Sequence, residues 1–428
     1  MSPELSIEEV ERIEGHAGVR VVIEGNNVIT EFRVFEGARL FEDFLVGRRV
    51  DEVPKLASRI CGICGITHSV AASKALDKAL GIELSGNIKS VRELLLNLNV
   101  IESHLLHVIF LSLPDIYSVR SFIELPRDVF KESLKVINLR EYIGKLIKTF
   151  IGDRVHGKSF TVGGFTYLPP KEVVNDFKDE LVKGYELLKE FINSIMDRYR
   201  EWVERILISK YKHYVALRGS DGYSLYEGDV VIDNNKVVKE DELSNEIREI
   251  SVSYSTAKRV YLSNGEPFMV GALARILVNE SKVPKELVRV INEVRHSSNY
   301  AEPCLIPLAQ LIESAYLLLK SSEILDDYEN KPLISDYRAK VSGAGVAIIE
   351  APRGILLHEY VVSNGIVRRS NIITPTAFFA DDIEDSIKHY TLNELSNPVT
   401  LSDLESRISE IVRCYDPCVS CSVHVVKL

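Results

Sequence analysis

Arg59-Ile60-Cys61-Gly62-Ile63-Cys64-Gly65-Ile66-Thr67-His68 lies near the start of the chain, and Asp416-Pro417-Cys418-Val419-Ser420-Cys421-Ser422-Val423-His424 lies near its end. Each carries two thiols two residues apart, which can grip one metal from a single turn of backbone, and two such pairs make a four-thiolate site. Most of the chain separates them, so a fold that joins them must close a very long loop. In zinc ribbons the pairs are close in sequence, because the metal staples a small local module. A chain of 428 residues folds without a staple. A cage built from its two ends therefore suits a functional site inside a core, with structural zinc as the alternative. A thioredoxin-like redox role fits less well, because two motifs are present and neither sits in a clear βαβ pattern.

The composition is that of a soluble globular protein with a sizeable core: 46% hydrophobic, 27% charged, net charge −10. Without a block of basic residues, neither nucleic acid nor an anionic membrane is an expected partner. The start, Met1-Ser2-Pro3-Glu4-Leu5, does not read as a signal peptide. Leu94 to Leu113 is the most apolar run, but Asn97, Asn99, Glu102, Ser103, His104 and His107 interrupt it. That suits a buried helix rather than a membrane span. Six cysteines are too few for a disulfide scaffold, so metal binding in a reducing cytosol is the better reading.

Residues 17–24 and 28–35 flank Gly25-Asn26-Asn27 and predict a β-hairpin. Helical spacing runs from about Asn87 to Leu113, where Pro114 is expected to stop it. Further helices are predicted at about 127–150, from Pro170 to about Leu207, and at 284–298, 304–326 and 401–413. Segments 213–235 and 248–263 are short, β-branched and aromatic, so 213–265 reads as a partly β insertion. Tyr360-Val361-Val362 and Ile366-Val367-Arg368 flank an Asn364-Gly365 turn signal. The fold class expected is α+β, mainly α: a central long-helix bundle with small peripheral β-sheets, as one integrated domain over residues 1–428.

Arg12-Ile13-Glu14-Gly15-His16, the Arg59–Cys64 motif with His68, and the Asp416–Cys421 motif with His424 together resemble the large subunit of the nickel–iron hydrogenases. The resemblance runs from residue 12 to the C-terminus and is most like the soluble bidirectional branch, which includes NAD(P)-linked enzymes and sulfhydrogenase alpha subunits. It implies that Cys61 and Cys418 are terminal nickel thiolates and that Cys64 and Cys421 bridge nickel to an iron carrying carbon monoxide and cyanide. Soft thiolates suit such metals and lose their protons on binding them. His68 matches the histidine that donates to a bridging cysteine, and Thr376 the hydroxyl that hydrogen-bonds a cyanide. Arg353, in Glu350-Ala351-Pro352-Arg353-Gly354, matches the arginine held above the metals, and Asp115 the aspartate that pairs with it. Glu14 matches the proton-relay glutamate. Glu42 and His424 match ligands of a second cation, magnesium in many members and iron in some. His104 and His107, three apart on one helical face, invite a metal reading but are expected to be core histidines.

The implied function is reversible heterolytic cleavage of dihydrogen in the cytoplasm, without membrane insertion, coupled to NAD(P) or sulfur reduction. Beyond the four motif thiols only Cys304 and Cys414 remain, too few for an iron–sulfur cluster. Gly343-Ala344-Gly345 is only a fragment of a dinucleotide fingerprint. An iron–sulfur small subunit is therefore implied as partner, with diaphorase-type subunits in this branch. In the family a maturation endopeptidase cuts after the last histidine, which makes Val425–Leu428 a candidate for removal. The homologous quinone-site subunit of respiratory complex I shares the fold but lacks the cysteine pairs.

Overall fold

The computed structural model describes residues 4–25, 27–208, 210, 212–220, 222–294, 301–335, 340–395 and 400–423. Three antiparallel strands open the chain: β1 (Glu4–Ile7), β2 (Ala17–Glu24) and β3 (Asn27–Val34). The predicted hairpin is β2–β3, in register from Ala17 opposite Val34 to Glu24 opposite Asn27.

The body is a bundle of long helices: α1 (Gly65–Leu80), α2 (Gly86–Leu106), α3 (Arg127–Ile151), α4 (Lys171–Ile206) and α5 (Ile306–Asp326). Helix α5 packs between α2 and α4, and α3 closes the other side against both. Helix α4 buries one stripe, including Leu181, Leu188, Phe191, Ile192, Ile195 and Trp202, at the three-and-four spacing of an amphipathic helix. Helices α2 and α5 extend to Gly86–Ile116 and Pro303–Asp326, long and apolar enough to span a bilayer, yet 83% of an apolar 18-residue window in each is buried within the protein. They are core helices.

Pro114 does not stop the run as expected. The chain widens into a π-helical turn at His107–Ser112 and continues as a short helix, Leu113–Ile116. Pro114 sits in the first turn of that helix, where a missing N–H breaks no bond. Two helices lacked a readable pattern: α1, and α6 (Pro375–Glu394), which precedes α7 (Leu401–Cys414). Fifteen of the sixteen residues of α1 are buried, so it has no polar face to alternate with an apolar one.

The sheet that matters for the site is β4 (Gly343–Ala351), β5 (Gly354–Ser363) and β6 (Ile366–Ile373), antiparallel in that order. Asn364 and Gly365 both take left-handed φ, +53° and +71°, as a two-residue hairpin turn requires. The sheet packs on α1 at Gly343 and Gly345. A Cβ there would lie 2.0 Å from the Ala79 carbonyl oxygen and 2.2 Å from that of Ala75. The Gly-Ala-Gly run is thus a close helix–sheet approach, not a phosphate cradle. Short strands between His213 and Met269 form a four-stranded and a two-stranded sheet.

Candidate metal centre

Both cysteine motifs end short turns that arrive at one point. Cys61 follows a 3₁₀ turn, Ser58–Ile60, and its Sγ accepts the backbone N–H groups of Ile63 (3.3 Å) and Cys64 (3.1 Å). Cys64 is the N-cap of α1, where helix polarity favours a thiolate. Asn99 of α2 braces the loop by donating to the Ile63 carbonyl at 2.9 Å. Cys418 precedes the turn Val419–Cys421, and Cys421 is its last residue. The four sulfurs lie within 4.8 Å of one another, with Cys61–Cys418 at 3.6 Å, Cys64–Cys421 at 3.9 Å and Cys418–Cys421 at 2.8 Å. All four are buried and none is in a disulfide. Hydrogen bonds from Cys418, Cys421 and Cys61 hold the Cys64 thiol well below its usual range, while the bond to Cys421 drives Cys418 well above it.

Residues from distant segments converge on it. Glu14 forms an isolated parallel bridge with Cys418, and its carbonyl accepts the Val419 N–H at 3.0 Å. The half-buried Glu14 carboxylate accepts from the Ser420 N–H at 3.1 Å and from the Ser420 hydroxyl. Gly15 makes that approach possible, since a Cβ would stand 2.8 Å from Val419 Cβ. Thr376 Oγ1, in the first turn of α6, accepts the Cys418 N–H at 3.0 Å and keeps its own proton to donate. His68, one turn into α1, is buried and acts on the Cys64 thiol.

Arg353 sits in the two-residue turn between β4 and β5 and is 4% exposed. Burial opposes its charge, but Asp416 and the Cys418, Cys64 and Cys61 sulfurs more than offset this and hold its pKa well above the usual value. Its partner is Asp416, not Asp115. The guanidinium donates to the Asp416 carbonyl and, at 2.8 Å, to its carboxylate. Asp416 takes a left-handed φ of +52°, which aspartate tolerates, and so presents both acceptors. Asp115 is already taken. Its oxygens accept from Arg413 at 2.6 and 3.0 Å and from Arg12. Asp416, adjacent to the cysteine motif, is the residue whose role the sequence alone did not reveal.

Glu42 lies in the short helix Phe41–Leu45, where its carboxylate accepts the Ile372 N–H at 2.7 Å. His424 and residues 425–428 lie outside the described residues. His107 is satisfied by Gln310 and by the Arg413 carbonyl, and His104 bonds Glu313 at 2.7 Å. The two histidines face different partners, as core residues do. Among the described residues the four cysteines are the one cluster spaced to hold a metal.

The sequence pattern that defines nickel-dependent hydrogenases matches residues 39–141 and 204–424. The chain belongs to that family. It is 33% identical to the alpha subunit of sulfhydrogenase 2 of Pyrococcus furiosus, over 99% of this chain and 100% of the relative. It is 29% identical to one subunit of the F420-non-reducing hydrogenase of Methanothermobacter thermautotrophicus, over 99% of this chain and 95% of the relative. Its fold superposes on an NAD+-reducing [NiFe]-hydrogenase with a TM-score of 0.87 at 24% identity, covering 99% and 100% of the two chains. It superposes on the Ni-Fe-Se hydrogenase of D. vulgaris Hildenborough at 0.81 and 21%, with the same coverage.

The donor set of this hydrogenase fits a nickel–iron pair. Four soft sulfurs share one enclosed space, and His68 Nε2 is buried with no hydrogen-bond partner. A structural zinc needs only the thiolates, whereas a buried guanidinium lies within electrostatic reach of these.

Proposed function

We propose that this hydrogenase is the catalytic large subunit of a cytoplasmic, multi-subunit enzyme that splits dihydrogen into two protons and two electrons, reversibly, at a nickel–iron centre. The observation that carries this reading is the buried cage of four thiols with Arg353, held by Asp416, close enough that the sulfurs help to raise its pKa. Cys61, Cys64, Cys418 and Cys421 would together hold the nickel and the iron. Such a centre, when bound, supplies the Lewis acidity and redox capacity for heterolysis. The protein supplies the rest. Arg353 supplies a fixed positive charge within electrostatic reach of the sulfurs, already oriented by Asp416, so no reorganisation is needed as charge develops. Thr376 offers a hydroxyl proton to an acceptor beside Cys418. Glu14 holds the departing proton, because its backbone is tied to Cys418 while its carboxylate is half exposed. Glu42 and His424 would hold a second cation, magnesium or iron.

Electrons leave through another chain. Cys304 and Cys414 are buried, their thiols pushed well up by burial, and two residues cannot hold a cluster. An iron–sulfur small subunit is the partner, joined by diaphorase-type subunits. Electrons pass on to NAD(P) or sulfur, and the sulfhydrogenase alpha relatives support the sulfur arm. Metal analysis with infrared spectroscopy tests the proposal. Nickel and iron in near-equal amounts, with bands of iron-bound carbon monoxide and cyanide, are expected. Zinc alone would overturn it.

A further inference from the structure

A buried chain of three side chains leads away from the cage. His68 Nδ1 lies 3.0 Å from His358 Nε2, and His358 Nδ1 lies 2.8 Å from the Tyr360 hydroxyl. His358 and Tyr360 are two residues apart on β5, so they share one face of the sheet, and all three rings are fully buried. The remaining nitrogen, His68 Nε2, has no partner, while His68 acts on Cys64. Neither imidazole has a carboxylate partner among the described residues. Burial, with His68 adding to it, holds His358 well below the usual histidine range, so it is neutral. Burial likewise keeps the proton on Tyr360.

A neutral imidazole donates from one nitrogen and accepts at the other. The ends of the chain then fix its direction. A metal-bound thiolate offers only lone pairs, so a His68 that bonds it does so with an Nε2–H. Its Nδ1 must accept, His358 must donate from Nε2 and accept at Nδ1, and Tyr360 must donate into His358. We infer that His358 and Tyr360 are positioning residues that lock His68 in the Nε2–H tautomer and so keep a hydrogen-bond donor on the thiolate cage. The inference rests on the four thiols holding the nickel–iron centre. In the opposite tautomer, His68 would turn a lone pair toward a lone pair in a dry site.

The test compares Tyr360→Phe, His358→Leu and the double variant in the assembled enzyme, with nickel and iron measured. The readout is the position of the infrared bands of the iron-bound carbon monoxide and cyanide. A thiolate without its hydrogen bond gives more electron density to iron, which moves those bands to lower wavenumber. Tyr360→Phe removes one hydroxyl and frees His358 to take either tautomer, so a second, lower set of bands should appear beside the first. His358→Leu removes the donor that makes His68 Nδ1 an acceptor, so the lower set should appear there as well, and adding Tyr360→Phe should then change nothing more. Unchanged bands in Tyr360→Phe at full metal content overturn the inference even if His358→Leu fails to fold. So does a Tyr360→Phe shift that persists in the His358→Leu background, or a loss of thermal stability without band movement. Absence of the bands from the unmutated enzyme would instead refute the nickel–iron assignment, and this inference with it.

Discussion

Arg275→Met should damage both the core and the site, for reasons that the geometry of one guanidinium makes countable. Arg275 is 1% exposed and binds two buried carboxylates. It donates to Glu313 from Nε and Nη2, each at 2.6 Å, and to Glu350 from Nη1 at 2.9 Å. It also donates to the Ala351 and Pro352 carbonyls at 3.0 and 3.1 Å. One cation thus serves two anions, and the protein shows the deficit. Burial pushes Glu350 up to about 7 in spite of Arg275, while Arg275 holds Glu313 far below the usual range.

Removing one partner from a buried ion cluster costs about 3–5 kcal/mol, because the charges left behind stay desolvated. The loss should depend on pH in a definite direction. The folded chain keeps the Glu350 proton to about 7, whereas the unfolded chain releases it near 4.5. Between those values the folded state binds more protons, so this group's contribution to stability falls as pH rises, by about 3 kcal/mol in all. In the native protein Glu313 works the other way. In Arg275→Met both carboxylates cling to protons, so stability should fall more steeply with pH than in the parent. Urea unfolding at pH 5.5 and 8, followed by the fluorescence of the sole tryptophan, the buried Trp202, reads this directly. The turn that presents Arg353 loses two carbonyl anchors as well, so dihydrogen–water isotope exchange should drop at full metal content. Glu350→Gln leaves Arg275 and Glu313 paired and should spare exchange. A loss under about 1 kcal/mol at pH 8, or the same loss at both pH values, would refute the reasoning.

Thr376→Val leaves the Cys418 N–H buried without an acceptor and should destabilise the chain by about 1–3 kcal/mol, while Thr376→Ser restores it; denaturation midpoints of the two decide. Glu14→Gln should retain nickel and iron but slow isotope exchange by about 10²–10⁴. Near-normal exchange would remove Glu14 from the proton path. Asp115→Asn leaves Arg12 and Arg413 without their shared anion and should cost about 3 kcal/mol. Its effect on isotope exchange should nonetheless be smaller than that of Asp416→Asn, since Asp416 is what orients Arg353; the reverse ranking would restore Asp115 to the site.

What the sequence made legible follows the kind of signal each residue carries. Long helices with one polar face, such as α4, announce themselves by spacing, and the Asn364-Gly365 turn by its demand for left-handed backbone. Helix α1, which holds His68, carries no stripe because it is buried on nearly every side, and the start of α6 around Thr376 is buried likewise, its stripe beginning only at Ile383. The cysteines were legible because thiol pairs have few other uses. Asp416 was not, since an aspartate before a proline reads as an ordinary turn. Only the fold shows its carbonyl and carboxylate both meeting Arg353. His358 and Tyr360 were equally silent. Period-two placement on β5 says that they share a face, not that a third ring from α1 completes a line between them.

The distance between the two motifs along the chain is explained by how the second one is held. In a zinc ribbon the metal closes the loop, so the ligands need no other restraint. Here the last turn is fastened by protein contacts from four separate segments. Glu14 accepts from Val419 and Ser420, Thr376 accepts from Cys418, Arg353 donates to Asp416, and Ala257 bridges Val423. Each fastening comes from a different part of the fold: the loop after β1, the start of α6, the β4–β5 turn and the small-sheet region. The cage is therefore assembled by the protein and presented to the metal, with the entropic cost of joining the chain ends met by the core rather than by coordination bonds. A centre held in this way can change charge and protonation without loosening the fold around it, which a metal acting as a staple could not.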